Sequence, residues 1–146
     1  MQTLGRLIDE LTIVELKLSH TEHEEKIRTL HRQSTALRAE IDSWVAGVFS
    51  GRIPMQDISA PLCKVRARLP RVPEEAGIGE LVAELVTTNA RMWDNEAERD
   101  RLVGISAINE LLLNADKLEQ QLNQNRSALI ELIDTRLKEM LWPSTK

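Results

Sequence analysis

The chain has no tyrosine, one phenylalanine, and aromatic residues at only 3% of its 146 positions, which argues against a base-stacking nucleic-acid platform. Its single cysteine, Cys63, excludes an intramolecular disulfide and suits a reducing compartment. No run approaches the roughly 18 apolar residues needed to cross a bilayer. Asp9 and Glu10 interrupt what would be the apolar stretch of a signal peptide. A formal charge of −4 gives no general attraction for polyanions. There is no Gly-rich phosphate loop, no Gly-x-Ser-x-Gly and no cysteine pair for zinc. These absences lead to the expectation of a cytoplasmic protein without a cofactor and without a membrane or nucleic-acid partner. What is present, 42% hydrophobic and 29% charged residues, is enough for one domain with a real core.

Proline and glycine are also unevenly spread. From Gln2 to Phe49 there is no proline, and glycine occurs only at Gly5 and Gly47. Leu4, Leu7, Ile8, Leu11, Val14 and Leu18 follow helical spacing. A heptad-like stripe then runs from Ile13 to Val48, interrupted by His20, His23 and Ser34. Unbroken helix propensity favours one long helix here; the alternative is a bend between Ser19 and Glu25. Ser50-Gly51-Arg52-Ile53-Pro54 stops the helix. Residues 51–76 hold Pro54, Pro61, Pro70 and Pro73 and read as a long crossover loop, with one short helix over Pro61 to Arg68. Pro73, Glu74 and Glu75 open the next helix, which runs to about Arg101. After a turn at Val103-Gly104, with Ser106 as cap, a last helix carries Ile108 to Met140 and ends at Trp142-Pro143.

Two stretches repeat one pattern. Leu4-Gly5-x-Leu7-Ile8-x-x-Leu11 matches Ile78-Gly79-x-Leu81-Val82-x-x-Leu85, offset by 74 positions. Ala36-Leu37 and Ile41-Asp42 match Ala128-Leu129 and Ile133-Asp134, offset by 92. The later copy therefore carries 18 extra residues, about five helical turns. The expected fold is all-α: an elongated antiparallel bundle built from a duplicated helical unit with a Pro-containing crossover loop. It forms a single domain, with repeat one at 1–50, the loop at 51–76 and repeat two at 77–142.

Continuing the duplicated stripe places polar residues where core is expected. Glu15 and Glu22 fall on it in the first copy, Asn89 and Glu96 in the second, and Asn125 or Arg126 between Leu122 and Leu129. An unpaired buried carboxylate is costly, so such groups are normally neutralised, paired or metal-bound. One reading is a polar pocket inside the bundle from Glu15, Glu22, Asn89, Glu96, Asn123 and Arg126, with Glu96 held between Arg99 and Arg126. The other is that the helix ends splay and these residues are solvated or form structural ion pairs. His20, His23 and His31 lack both His-Glu-x-x-His and Glu-x-x-His spacing, so no metal site is expected. Lys64, Arg66, Arg68 and Arg71 form a basic patch suited to an anion or acidic partner, or simply a solvated loop face.

The run Asn89-Ala90-Arg91-Met92-Trp93-Asp94-Asn95-Glu96-Ala97-Glu98-Arg99, followed by Leu122-Asn123-Gln124-Asn125-Arg126 and ending at Asp134, resembles an uncharacterised bacterial family of small all-helical proteins. That family shows Trp-x-x-Glu-x-x-Arg and Leu-Asn-Gln-x-Arg motifs. The resemblance covers about half the chain and implies a shared polar set of Asn89, Trp93, Glu96, Arg99, Asn123, Arg126 and Asp134. Ala97 and Ser127 depart from the pattern, which has Asp and Asn there. Genes of such proteins occur among those for surface-polysaccharide synthesis, so the resemblance implies a link to a bacterial biosynthetic pathway and no defined activity.

Apolar stripes on several helices with few aromatics suit helix-on-helix association. The expected function is a non-enzymatic interaction or oligomerisation module, with a second copy or another protein as partner. The alternative is an enzyme or small-anion or nucleotide binder that uses the polar layer. An all-helical metal-dependent pyrophosphohydrolase would carry Glu-Glu-x-x-Glu followed by Glu-x-x-Asp; this chain offers Glu80-x-x-x-Glu84 and, far away, Glu131-x-x-Asp134.

Overall fold

Thr3 takes an extended backbone, accepts the Arg6 N–H with its side chain, and starts helix α1 (Leu4–His20). In the computed structural model, residues 2–58, 72–73, 75–105 and 108–142 are described. Among these the fold is all-α, with three further helices: α2 (Glu24–Phe49), α3 (Ile78–Gly104) and α4 (Asn109–Leu141). A single 3-10 turn spans Met55–Asp57. No described helix is long and apolar enough to cross a membrane.

The continuous helix favoured by propensity does not form, and the chain reverses at residues 21–23. Thr21 and His23 are both extended, and the Ser19 and Thr21 hydroxyls bond back to Leu16 and Lys17 carbonyls. Hydroxyls bonded this way weaken the helix locally. Folding back also has a packing cause. A straight continuation would leave Leu37, Ile41, Trp44 and Val48 without neighbours, whereas α2 lies along α1 and buries them. The α2 stop falls where expected, with Gly51 in the left-handed region (φ 77°) just beyond it. Helix α3 starts at Ile78, later than the Pro73–Glu75 opening, and runs past Arg101 to Gly104. Of the other expected features, the 61–68 helix, the basic patch, Cys63 and Ser106 lie outside the described residues.

Helix directions follow from the cross-links. Ser34 and Arg38 of α2 reach Glu15, while Trp44 and Val48 cluster with Leu4 and Leu7, so α2 runs antiparallel to α1. Gly5 meets Asp134 and Asp9 meets Arg126, so α4 is antiparallel to α1 as well. Asn89 bonds Thr12 and Trp93 touches His20, so α3 runs parallel to α1. Helix α1 therefore sits centrally, packed on all three others, while α3 and α4 form a long hairpin. Among the described residues two clusters form much of the core. Leu4, Leu7, Trp44, Val48, Ile53 and Ile58 form one, and Ala76, Leu81, Leu85, Leu129 and Ile133 the other, with Ile8 packed against both. The connection from α2 to α3 thus begins and ends at the same end of the bundle.

Matched positions of the two sequence repeats have different surroundings. A Cβ on Gly5 would lie 2.6 Å from the Ile130 carbonyl oxygen and 3.0 Å from Asp134 Oδ1, whereas Gly79 faces open space. Leu11 is half-buried and Leu85 fully buried, and Asp42 is exposed where Asp134 is buried. Gly5→Ala is expected to destabilise the fold by about 1–3 kcal/mol, because α4 backbone must move. Gly79→Ala should be neutral or stabilising by up to about 1 kcal/mol. Urea-denaturation midpoints of the two variants check the contrast.

Candidate functional site

One buried carboxylate gathers three helices. Asp9 on α1, with its side chain 4% exposed, accepts from Arg126 of α4 in a forked contact, Nε to Oδ1 at 2.9 Å and Nη2 to Oδ2. Asn89 of α3 donates to the same Oδ1 at 3.0 Å and to the Thr12 hydroxyl at 2.8 Å. The guanidinium is partly exposed, and its bond to Asp9 raises its affinity for the proton above the usual arginine value. Both carboxylate oxygens of Asp9 accept hydrogen bonds, Oδ1 from Arg126 and Asn89 and Oδ2 from Arg126. The arrangement suits a structural tie between the three helices.

The residues expected in one polar pocket are dispersed. Glu15 lies between α1 and α2, where the buried Ser34 hydroxyl donates to it at 2.6 Å and Arg38 pairs with it at 3.2 Å; the Ser34 bond is the main reason its pKa is lowered. Glu22 is exposed in the α1–α2 turn, and Glu96 and Asn123 are exposed on α3 and α4. Arg99 pairs with Asp116 of α4 at 2.7 Å, and Arg126 goes to Asp9, so neither cation holds Glu96. Of the six expected pocket residues, Asn89 and Arg126 meet, through an aspartate the stripe did not point to. Asp9 follows the apolar Ile8, and its burial arises from helix–helix approach. The hydrophobic pattern of α1 carries no signal for it.

Asp134 belongs to a separate buried junction. Its Oδ1 accepts the Gly5 N–H at 2.8 Å, so a carboxylate from α4 serves one of the first-turn amides of α1 that no helical carbonyl can reach. Burial pushes its carboxyl above the usual aspartate range, and bonds from Thr3 and Gly5 pull the other way without cancelling that. Asn95, passed over in the sequence, is buried on α3 and donates to the Ala115 carbonyl at 3.0 Å and to Glu119 at 3.2 Å. It fixes the α3–α4 hairpin in register. Among the described residues no group of three or more His, Cys, Asp or Glu could hold a metal ion.

Two surface features lie toward the α1–α2 turn and beyond it. A groove of about 620 Å³ opens where α1 ends and α2 begins, with Trp93 of α3 in its wall. The far end of the α3–α4 hairpin carries Val103, Ile105, Ile108, Leu111, Leu113 and Leu118, each between 39% and 65% exposed. No family model, curated protein or solved structure matches the chain.

The Asp9 junction yields a test of its structural role. Asp9→Ala is expected to cost about 3 kcal/mol, chiefly because Arg126 loses its partner. Asp9→Leu combined with Arg126→Met should recover most of that loss, which thermal melts of the single and double variants measure. For Asp134 the sign of the pH effect follows from its raised pKa. The folded chain keeps this proton to higher pH than the unfolded chain, so stability falls as pH climbs from about 3.9 through the folded value. Asp134→Asn keeps an acceptor for Gly5 and removes that fall. Its melting temperature should exceed that of the parent at neutral pH and converge with it in acid.

Proposed function

We propose that this chain is a non-enzymatic helical interaction module that associates with a second copy of itself through the free end of the α3–α4 hairpin. The observation that carries this reading is a mismatch of lengths. Trp93 lies level with His20 at the end of α1, yet α3 continues 11 residues further, to Gly104. That is about 16 Å of hairpin with no α1 beside it. Its exposed aliphatic side chains are concentrated in this free portion, and residues 102–109 carry no charge. A concentration of exposed apolar side chains is a common mark of a protein contact. An antiparallel pair of such ends would place like against like about a twofold axis, the commonest way for identical chains to associate.

The same reading accounts for the repeat. The two matched stretches open the first legs of two hairpins, α1–α2 and α3–α4, and the second matches lie in their second legs. The later hairpin is longer throughout its free end. Helix α3 has 27 residues against 17, its turn four against three, and 13 residues of α4 precede Leu122 where six of α2 precede Leu30. In this reading a duplicated hairpin was lengthened to form a docking surface, with the Pro-containing segment joining the two units. The resemblance to small bacterial helical proteins extends the proposal to an accessory role in a bacterial biosynthetic pathway.

Light scattering at micromolar concentration is expected to give twice the 16.6 kDa chain mass. Ile108→Glu with Leu111→Glu should return the monomer without lowering the melting temperature. Glu96→Gln should alter neither the mass nor the stability by more than about 0.5 kcal/mol, since its carboxylate is exposed. A monomeric parent would refute the proposal.

A further inference from the structure

The groove at the α1–α2 turn has a composition that a packing defect would not need. It is lined by Lys17 from the end of α1, Thr21 and His23 from the turn, Lys26 and Leu30 from the start of α2, and Trp93 from α3. Its volume of about 620 Å³ falls within the range of small-molecule sites. Trp93 supplies a large aromatic wall. Its ring is fixed by an edge contact with His20, with centroids 4.9 Å apart and planes inclined at 62°. Lys17 and Lys26 carry no ion pair among the described residues, although carboxylates abound on this protein. Glu25 also lines the groove and offsets one of the two ammonium charges.

Helix α2 begins here, and its N-cap residue His23 makes no side-chain capping bond. The first amides of α2 therefore lack the side-chain acceptor that Thr3 gives α1, and their dipoles favour an anion, against which Glu24 and Glu25 of the same turn set two negative charges. Trp93 from α3, Lys17 from α1, and Lys26 with the uncapped start of α2 line one space.

We propose that this groove binds a planar aromatic anion, with the ring against Trp93 and the phosphate or carboxylate between Lys17, Lys26 and the start of α2. This site is separate from the hairpin end and does not depend on self-association. Burial of a ring beside indole supplies affinity, and the anion supplies orientation.

The chain has three tryptophans, so the indole N–H signals in a heteronuclear NMR spectrum form a small set, and Trp93→Phe identifies the relevant one. Adenosine monophosphate and naphthoate serve as the phosphate and carboxylate probes, with adenosine and inorganic phosphate as their halves. At least one of the two aromatic anions should shift the Trp93 signal saturably, and whichever does so tells phosphate from carboxylate preference. The half-ligands should bind about tenfold or more weakly. Lys17→Glu with Lys26→Glu should weaken the bound anion by about tenfold or more while leaving the melting temperature unchanged, because both lysines are exposed. Failure of both anions to saturate at millimolar concentration, or binding indifferent to the two lysine changes, would overturn the proposal.

Discussion

Asp9 is the point at which three helices become one unit. Its carboxylate is removed from water, so it must be satisfied, and the groups that satisfy it come from α3 and α4. A buried ion pair of this kind adds little net stability, since desolvation cancels most of the attraction. Its effect is on register. Sliding α1 by one turn, about 5.4 Å, would strand the carboxylate and the guanidinium together, whereas apolar contacts alone would tolerate a neighbouring register. Asp134 applies the same constraint further along, joining α4 to the first turn of α1, and it requires a glycine at position 5 because the two backbones nearly touch there.

With α1 pinned in this way, its length decides where the bundle ends and where the α3–α4 hairpin continues alone. The free segment is held by other means. Asn95 crosses to the Ala115 carbonyl, Arg99 pairs with Asp116, and Leu102 and Ala115 fill the space between the two helices. A two-helix segment can bury only its inner face, so the remaining aliphatic side chains stand in solvent unless another surface covers them. The proposed self-association and the proposed groove both originate at this step in helix length. One uses the wall of α3 exposed above α1, and the other uses the corner where α1 turns into α2.

The legible part of this architecture was the part that depends on periodicity. Leu81, Leu85, Leu122, Leu129 and Ile133 were read as core from their spacing, and each is buried at 1% exposure or less. The breaks at Ser50-Gly51 and after Leu141 were equally plain, since a left-handed glycine and a proline act on local backbone alone. The reversal at residues 21–23 was less so. No glycine or proline marks it, and its local cause is a pair of hydroxyls bonding backward, which helix propensity scores as nearly neutral. The polar set fared worst. Glu96 occupies a stripe position yet faces solvent, because the stripe drifts around a helix that has neighbours on only part of its surface.

The sequence by itself determined the helical class, most of the core and the firm stops, because these follow from side-chain period and backbone preference within one segment. It also placed polar groups on the apolar stripes, where they could stay in solvent or enter the interior. Which ones did so was decided only by tertiary structure. Asp9, Asn89 and Arg126 are separated by 80 and 117 positions from the carboxylate outward, and no local preference links them. Their meeting depends on the mutual offset and rotation of α1, α3 and α4, quantities set by whole-face packing. The same holds for the α3–α4 hairpin end, whose residues have ordinary core spacing and stand exposed because no other described helix reaches as far.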